Sequence, residues 1–331
     1  MARGVELKLR VACYVLGCYV LSCGAWGAGA ALAQGYPVKP VRLIVPYPAG
    51  GVNDIIARVL AQKLGEGWAQ QVVIDNRPGA GGNLGTDFVA KAAPDGYTLL
   101  SGGVGSLTMN PGLGKVPYDT LRDFAPIALV ATAPNVLTVH PSLPVRSTRE
   151  FIALAKARPA QIHYGSGGVG STPHLSGALF AVMAGVDLVH VAYKGGALAM
   201  TDLMGGHVQM AFMGIPPALP HIRSGKLRAL GVSSAQRSAQ LPDVPPVAAA
   251  LPGYDVNPWF GILAPKGAPD DIVARLSAEI ARALRSPEVR ERLLAQGCEP
   301  YAGSPEEFAQ TIRNDLARWS KLIADARIRA D

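Results

Sequence analysis

Ligand binding through backbone N–H groups is the chemistry suggested by PYPAGGVND, residues 46–54, which lies between an apolar run and a helix-like pattern. Gly50 and Gly51 can adopt backbone angles that expose their N–H groups, and Asn53 or Asp54 can cap the helix that follows. Unpaired N–H groups at a helix start, together with the helix dipole, attract anions. The stretch therefore predicts an anion-binding turn, with a tight strand-to-helix connection as the alternative interpretation.

Glycine-rich turns occur at three later points, each directly after a predicted strand or at the entrance of a predicted helix. They are GAGGNLG at 79–85, SGGVGS at 101–106 and GSGGVGS at 165–171. Glycine at this density allows the backbone to approach a neighbouring helix or a ligand closely. These turns are therefore further candidates for the walls of a binding site.

The third of these turns, Gly165 to Gly170, also matches the G-x-G-x-x-G pattern of dinucleotide-binding folds. Such folds place an acidic residue at the end of the following strand, where it holds the ribose hydroxyls. Here that strand, 188–193, ends in Tyr193 and Lys194, and Asp187 lies at its beginning. The pattern does not predict a dehydrogenase, and we expect no cofactor.

Sequence patterns for catalysis and metal binding are missing as well. No serine lies in G-x-S-x-G, and Cys298 is the one cysteine outside the predicted leader peptide. The histidines are scattered instead of clustered at the spacing of metal ligands; they are His140, His163, His174, His190, His207 and His221. Backbone N–H groups and hydroxyls remain abundant, and these bind a carboxylate without transforming it. The sequence predicts a binding protein with no enzymatic activity and no metal site.

The charge balance is mildly basic. The chain has 31 Lys and Arg and 24 Asp and Glu; without Arg3, Lys8, Arg10 and Glu6 of the predicted leader, 28 and 23 remain, a net charge of +5. This bias suits a small anionic ligand, but the cations are too dispersed for a nucleic-acid surface. We therefore expect no nucleic-acid partner.

Residues 1–33 have the layout of a secretory signal peptide with cleavage after Ala33. Basic residues precede an apolar stretch from Val11 to Trp26, and a small-residue run ends in Ala31-Leu32-Ala33. The alternatives are a transmembrane anchor and a lipoprotein signal at Cys23. The predicted location is the periplasm, and a mature chain holding only Cys298 forms no intrachain disulfide.

The rest of the chain alternates strands and helices, which indicates an α/β protein with parallel sheets. The glycine turns fall in two sets, 46–106 and 165–214, which suggests two lobes facing one cleft. Prolines near 141 and 265 mark the predicted crossings, so lobe I comprises 36–139 plus 263–331 and lobe II comprises 140–262. The predicted strands are 41–45, 71–74, 98–100, 124–130, 136–139, 162–164, 188–193, 208–212, 226–232 and 257–265, and the C-terminal helices are 270–284, 287–295 and 305–324.

An ordered series of motifs resembles the Bug family, the periplasmic solute-binding proteins of tripartite tricarboxylate transporters. The motifs are PYPAGGVNDIIAR, NRPGAGGNLGTDFVAKAAPDGYTLL, YGSGGVGSTPHLSGALF, HVAYKGGALAMTDLMGG, ALPHIRSGKLRALGV, LPDVPPV and RWSKLI. The resemblance implies a two-lobed, type II-like periplasmic-binding-protein fold, each lobe a mainly parallel sheet flanked by helices. It also implies a carboxylate held in the cleft by loop backbone and ordered water, and delivery to a two-component membrane permease.

The resemblance assigns candidate ligand-binding residues to three loops. The family's first carboxylate-holding loop corresponds to residues 48–53, its third-strand loop to 101–106 and its second-lobe loop to 166–171. The candidates are Pro48, Ala49, Gly50, Gly51, Asn53, Ser101, Ser106, Ser166, Gly168, Ser171, Tyr193 and Met213. For the serines and Asn53, the alternative is that they only cap helices and shape turns.

The chain departs from the family pattern at two points. Relatives with G-T-H-x-x-N-P have an imidazole where this chain has Leu107, and relatives with F-D-N have polar residues where it has Met213 and Gly214. We expect the end of the cleft away from the 46–54 turn to be more apolar, favouring an aromatic or partly apolar carboxylate over citrate, aspartate or glutamate. An ordinary dicarboxylate held through water is the alternative.

The sequence therefore predicts an exported, monomeric solute-binding protein that captures a small organic carboxylate and delivers it to a tripartite tricarboxylate transporter permease. A two-lobed sensor that presents its bound carboxylate to a membrane receptor would have the same features. An exported enzyme acting on a small carboxylate is the remaining alternative.

Overall fold

The computed structural model describes residues 35–328, so the predicted signal peptide and its cleavage site at Ala33 lie outside the described residues. Residues from Lys39 onward form one unit built on two β-sheets flanked by helices. No helix between residues 35 and 328 is long and apolar enough to cross a membrane.

The first sheet contains six strands in the described part of the chain, in the order β11-β4-β10-β3-β1-β2. They are β1 (Val41–Val45), β2 (Val72–Asn76), β3 (Thr98–Gly103), β4 (Phe124–Thr132), β10 (Trp259–Pro265) and β11 (Glu299–Gly303). Strand β1 is parallel to β2 and β3, whereas β10 is antiparallel to β3 and β4. Parallel pairing brings the carboxyl ends of β1 and β3 to one edge of the sheet, where the loops after them meet.

The second sheet contains five strands within residues 35–328, in the order β7-β6-β8-β5-β9. They are β5 (Asn135–Val139), β6 (His163–Ser166), β7 (Val189–Ala192), β8 (Met210–Gly214) and β9 (Arg228–Val232). Strand β6 is parallel to β7 and β8, and β5 is antiparallel to β8 and β9. Most strands of each sheet thus run in one direction. The strands that oppose them are β5 in the second sheet and β10 and β11 in the first, and β5 and β10 each begin directly after a crossing from the other sheet.

Ten α-helices cover the sheets in the described residues. They are α1 (Val52–Trp68), α2 (Asn83–Ala90), α3 (Asn110–Leu113), α4 (Thr148–Ala157), α5 (Thr172–Ala184), α6 (Gly196–Met204), α7 (Ile215–Arg223), α8 (Asp270–Arg285), α9 (Pro287–Ala295) and α10 (Pro305–Asp325). A π-helical turn, Gly105–Met109, joins β3 to α3. These elements confirm the predicted α/β class with two sheets.

The strand pairing does not follow the predicted lobe boundaries at 139/140 and 262/263. Strand β5 pairs in the second sheet, and all of β10 pairs in the first, so Pro141 and Pro265 mark strand ends instead of crossings. The chain passes between the sheets at residues 133–134 and again within 233–258. The division into lobes stays a prediction, and the pairing favours these earlier crossing points.

The two crossings are hydrogen-bonded to each other and to the start of β5. Ala133 donates its N–H to the Pro258 carbonyl at 2.9 Å. The buried Ser233 hydroxyl accepts from the Asn135 N–H at 2.9 Å and donates to the Val256 carbonyl at 2.5 Å. These contacts join the only two segments that connect the sheets within residues 39–328.

Aromatic side chains fill the core on both sides of these crossings. Phe180 of α5 lies against Phe212 and Tyr254, with ring centroids 5.9 and 6.3 Å apart. On α10, Phe308 and Trp319 are buried, and Phe308 packs edge-on against Trp259. Burying a side chain of this size stabilises the fold by roughly 1.5–3 kcal/mol. The face of α10 that carries Phe308 and Trp319 therefore belongs to the core.

Candidate functional site

A cavity of about 360 Å³ lies where the loops of the two sheets face each other. The first sheet contributes residues 47–53 after β1 and 103–105 at the end of β3. The second sheet contributes the starts of α5, α6 and α7, and Ala133 and Pro258 of the crossings complete the lining. Helix starts from both sheets therefore converge on one cavity.

The first loop has the geometry of an anion-binding turn. Helix α1 begins at Val52, and Gly51 before it is extended and carries no capping side chain. The N–H groups of Gly51, Val52 and Asn53 make no hydrogen bond within residues 35–328, as expected for the first turn of an uncapped helix. Of the sequence-predicted residues, Pro48, Ala49, Gly50, Gly51 and Asn53 all line the cavity.

Asp54 holds this loop in place from behind. Its carboxylate accepts hydrogen bonds from the Gly50 N–H at 2.9 Å, from Asn76 at 3.0 Å and from Arg58 at 2.9 Å. Burial would raise the pKa of Asp54, but the hydrogen bonds from Arg58, Gly50 and Asn76 lower it below its ordinary value. The charge of this carboxylate is thus compensated outside the cavity.

Ser101 lies beneath the loop instead of in the cavity. Its hydroxyl donates to the Asn53 side-chain oxygen, and its carbonyl accepts from the Asn53 amide nitrogen at 2.7 Å. Ser101 is fully buried inside β3, because the strand extends to Gly103. It therefore orients Asn53, which does line the cavity.

Ser106 is also buried away from the cavity, within the π-helical turn. Its hydroxyl accepts from Thr86 at 3.0 Å, and its carbonyl accepts from Tyr118 at 2.5 Å. Tyr47, which the sequence did not single out, lines the cavity and is hydrogen-bonded to Ser106. Burial raises the pKa of Tyr47, so its hydroxyl stays protonated at neutral pH.

In the second-lobe loop, Ser171 lines the cavity but Ser166 and Gly168 do not. Ser171 is the N-cap of α5 and donates its hydroxyl to the Gly168 carbonyl at 2.6 Å. Ser166 ends strand β6; its hydroxyl accepts from the Gly168 N–H and lies 2.7 Å from His190 Nε2. Ser166 and Gly168 therefore shape the loop that presents Ser171.

A stack of aromatic rings supports this loop from within the second lobe. His190 lies between Tyr164 and His174, with ring centroids 4.7 and 4.2 Å away. His174 Nδ1 accepts the Gly170 N–H at 3.2 Å. Burial, followed by the neighbouring His190, lowers the pKa of His174 to about 4, so its ring is neutral at pH 7 and can accept this bond.

Of the remaining two predicted residues, Met213 lines the cavity and Tyr193 does not. Tyr193 is outside the lining and donates to Asp202 at 2.6 Å; burial and then this carboxylate raise its pKa to about 12. Met213 lines the cavity together with Gly214. Gly214 lies against Val52, however, so this pair begins beside the 46–54 turn and not at the far end of the cleft, where it was expected. Leu107, expected to contribute to the apolar end, is instead buried in the core.

Sequence reasoning missed most of the wall contributed by α6 and α7. On α6 the lining residues follow helical spacing, so periodicity could have revealed them; they are Ala197, Met200, Thr201 and Met204. On α7 they are Pro217 and His221. This helix was not predicted, because Pro216, Pro217 and Pro220 interrupt any ordinary helical pattern. Asn135 and Phe260 were also missed.

The cavity is lined by dipoles and apolar groups. In the part of the chain that the structure describes, no Asp, Glu, Lys or Arg lines it. No cluster of three or more potential metal-binding His, Cys, Asp or Glu side chains occurs between residues 35 and 328. The buried Cys298 lies outside the lining, and burial raises its pKa to about 12. The arrangement can hold an anion through N–H groups and an apolar body through methionine and proline.

Comparison with known proteins gives concordant matches over nearly the whole described chain. The family model for the tripartite tricarboxylate transporter family receptor matches residues 56–328. Protein BugT of Bordetella pertussis is 39% identical over 302 residues, which cover 90% of this chain and 92% of BugT.

Two solved structures have the same fold. That of R. palustris Rpa4515 with adipate has a TM-score of 0.86 at 38% identity and covers 89% of this chain and 99% of that chain. That of MatC from Rhodopseudomonas palustris with bound malate has a TM-score of 0.83 at 33% identity, covering 87% and 100%. They confirm the predicted two-lobed periplasmic-binding-protein fold. The chain belongs to the tripartite tricarboxylate transporter family of receptors, as its resemblance to the Bug proteins predicted.

Proposed function

We propose that the protein is a periplasmic receptor that binds a small organic carboxylate in this cavity and delivers it, unchanged, to a two-component membrane permease. The observation that carries the proposal is the uncapped start of α1, whose free N–H groups face a cavity without acidic side chains. The starts of α5 and α6 face the same volume from the other sheet. Helix N-termini bind anions through such groups.

The related structures support a carboxylate as the anion, because one holds adipate and the other malate. We propose that the ligand contacts Pro48, Ala49, Gly50, Gly51, Asn53, Ser171 and Met213. Ser101, Ser106, Ser166, Gly168 and Tyr193 then act as supports that hold the contacting residues in position.

A thermal-shift screen of the purified chain from Gln34 onward tests the proposal. The acids are adipate, malate, citrate, aspartate, glutamate, benzoate and nicotinate, with the corresponding neutral amides as controls. A ligand at about 100 times its dissociation constant stabilises the folded state by about 2.7 kcal/mol. We expect such a shift with at least one acid and none with its amide; shifts with no acid, or equal shifts with acid and amide, would contradict the proposal.

The same sample tests whether the ligand is bound without reaction. We expect chromatography to recover the bound acid intact after prolonged incubation with the protein. Conversion of the acid to a product would favour the enzyme alternative. Mass spectrometry of protein exported by a bacterial host tests the leader peptide, and we expect an N-terminus at Gln34, after Ala33.

Delivery to a permease is tested in cells. We expect uptake of the bound acid to require the two membrane subunits together with this receptor. Uptake that proceeds equally without the receptor would contradict the delivery role, even if binding itself is confirmed.

A further inference from the structure

The cavity has two chemically different ends, because helices α6 and α7 both begin beside the 46–54 turn and run away from it. A methyl group added to Gly195, before α6, would lie 2.9 Å from Pro48 Cγ. One added to Gly214, before α7, would lie 2.4 Å from Val52 Cγ2. At about 1.5 Å per residue, His221 of α7 lies roughly 10 Å farther along the wall than Gly214.

His221 is the one histidine that lines the cavity in the described chain, and an imidazole N–H can donate a hydrogen bond to a carboxylate. Its backbone carbonyl accepts from the Leu227 N–H and the Ser224 hydroxyl. Its ring makes no hydrogen bond within residues 35–328. The neighbouring cation of the last turn, Arg223, is exposed and donates to Gln240 at 3.1 Å. The imidazole is therefore available to a ligand.

Apolar side chains separate the two ends. Met200 and Met204 of α6, Met213 of β8 and Pro217 of α7 all line the cavity. A polar substituent of a ligand that faces these four side chains would find no hydrogen-bonding partner on them, and such a loss weakens binding. A methylene chain or a ring can instead pack against the methionines.

We propose that His221 recognises a second acidic group, so that the ligand is a dicarboxylate whose two carboxylates are separated by an apolar spacer. One carboxylate binds at the start of α1 and the other accepts a hydrogen bond from the His221 ring. The inference rests on the proposed function and makes it specific. Acids that are short or carry a central polar substituent, such as succinate, malate and citrate, would lack one or more of these contacts.

Calorimetry with matched acids tests this assignment. The diacids are succinate, adipate and suberate, and the monoacids of equal length are butyrate, hexanoate and octanoate. We expect adipate or suberate to bind about tenfold or more tightly than its monoacid, a ratio that one charge-assisted hydrogen bond supports. Succinate is too short to reach both ends, so we expect the ratio of its affinity to that of butyrate to be less than half of the ratio for adipate or suberate.

The variants His221→Ala and His221→Gln test whether the His221 ring causes the preference for diacids. We expect His221→Ala to reduce the diacid preference to within about twofold, with monoacid affinity nearly unchanged, and His221→Gln to retain part of it. The matched control is His207→Ala, because His207 is exposed and outside the lining. Thermal unfolding of each variant without ligand shows whether it is folded.

Each outcome bears on one of the two proposals. Monoacids that bind as tightly as diacids, a preference that survives in His221→Ala, or equal losses for both kinds of acid would overturn the role of His221 and leave carboxylate binding standing. If no acid in the series or the earlier screen bound, the proposed function itself would fail, and this inference with it.

Discussion

At the scale of single residues, the site divides into groups that face the ligand and groups that hold them. Asn53 faces the cavity, whereas the hydroxyl and the carbonyl of Ser101 below it are both hydrogen-bonded to the Asn53 side chain. The same division separates Ser171 from Ser166 in the second lobe. Serine in a glycine loop is therefore a weak guide to direct contact, because its short side chain bonds equally well to nearby backbone.

Replacing Ser101 with Ala tests this division. The variant leaves the Asn53 oxygen without its buried donor, which costs about 1–3 kcal/mol of unfolding free energy. We expect ligand affinity to fall as well, because Asn53 loses its fixed orientation. Urea unfolding and calorimetry measure the two effects, with Ser320→Ala on the exposed face of α10 as the control. Unchanged stability would show that the Ser101 hydroxyl is not essential to the loop.

His174 predicts a pH dependence of stability. Its pKa is about 4 in the folded protein and 6.5 ordinarily, so the unfolded chain binds a proton between these values that the folded protein does not. The free energy of unfolding therefore falls as pH decreases from about 6.5 to about 4, and this contribution changes no further below that window. Between pH 7 and pH 4.5 the loss amounts to about 2 to 3 kcal/mol.

Urea unfolding of the native protein and of His174→Gln at both pH values isolates this contribution from that of the carboxylates. Glutamine can accept the Gly170 N–H without titrating. We expect the variant to lose less stability on acidification than the native protein, by about the amount given above. Equal losses in the two proteins would contradict the assignment to His174.

At the scale of elements, amphipathic periodicity identifies α8 and α10, and capping serines mark the starts of α9 and α10. These sequence patterns predicted α9 at its observed bounds and α8 and α10 to within one residue. They failed for α7, where Pro216 and Pro217 occupy the first turn and cost little there, and Pro220 follows within the helix. They also missed β11, a short edge strand containing Pro300.

These local failures explain most errors about the site. Strand β3 was predicted to end at Leu100 but continues to Gly103, and β6 continues to Ser166. Ser101 and Ser166 therefore belong to strands, and burial in the sheets removes them from the cavity. Because α7 was not predicted, His221 was weighed only as a metal ligand and not as part of the cavity wall. Of the predicted loop glycines, Gly50 and Gly51 line the cavity and Gly168 does not.

The crossing segments supply a prediction at this scale. The Ser233 hydroxyl satisfies the buried Asn135 N–H and Val256 carbonyl, so Ser233→Ala leaves both without this partner. We expect a loss of roughly 2 to 6 kcal/mol in the free energy of unfolding, at about 1–3 kcal/mol for each buried group. Chemical unfolding measures it, and a loss below 1 kcal/mol would show that other groups or water replace the hydroxyl.

At the scale of the whole molecule, the lobes touch where Gly81 and Asn110 of the first meet Val169 and Gly170 of the second. A methyl group on Gly81, in the first lobe, would lie 2.6 Å from the Val169 carbonyl in the second. One on Gly170 would lie 2.3 Å from the Asn110 side-chain oxygen. Contacts this close leave no room for side chains, and two crossing segments permit the lobes to close and separate as a hinge.

Replacing Gly170 with Ala tests whether this contact is needed for closure. The methyl group collides with Asn110 only when the lobes are together, so the variant favours the open form and we expect at least tenfold weaker ligand binding. Gly225→Ala is the matched control: its backbone angle φ of +73° is close to the +78° of Gly170, but no atom lies within 4 Å of the added methyl group. It therefore shares the backbone strain without the collision.

Small-angle X-ray scattering measures closure directly with the acid identified in the thermal-shift screen. We expect the radius of gyration of the native protein and of Gly225→Ala to decrease when saturating ligand is added, and that of Gly170→Ala to remain at the ligand-free value until far higher concentrations. If Gly170→Ala closes at the same ligand concentration as Gly225→Ala, the contact between Gly170 and Asn110 does not control closure. If both variants bound the ligand more weakly, the loss of affinity would be due to backbone strain and not to the collision between the methyl group and Asn110.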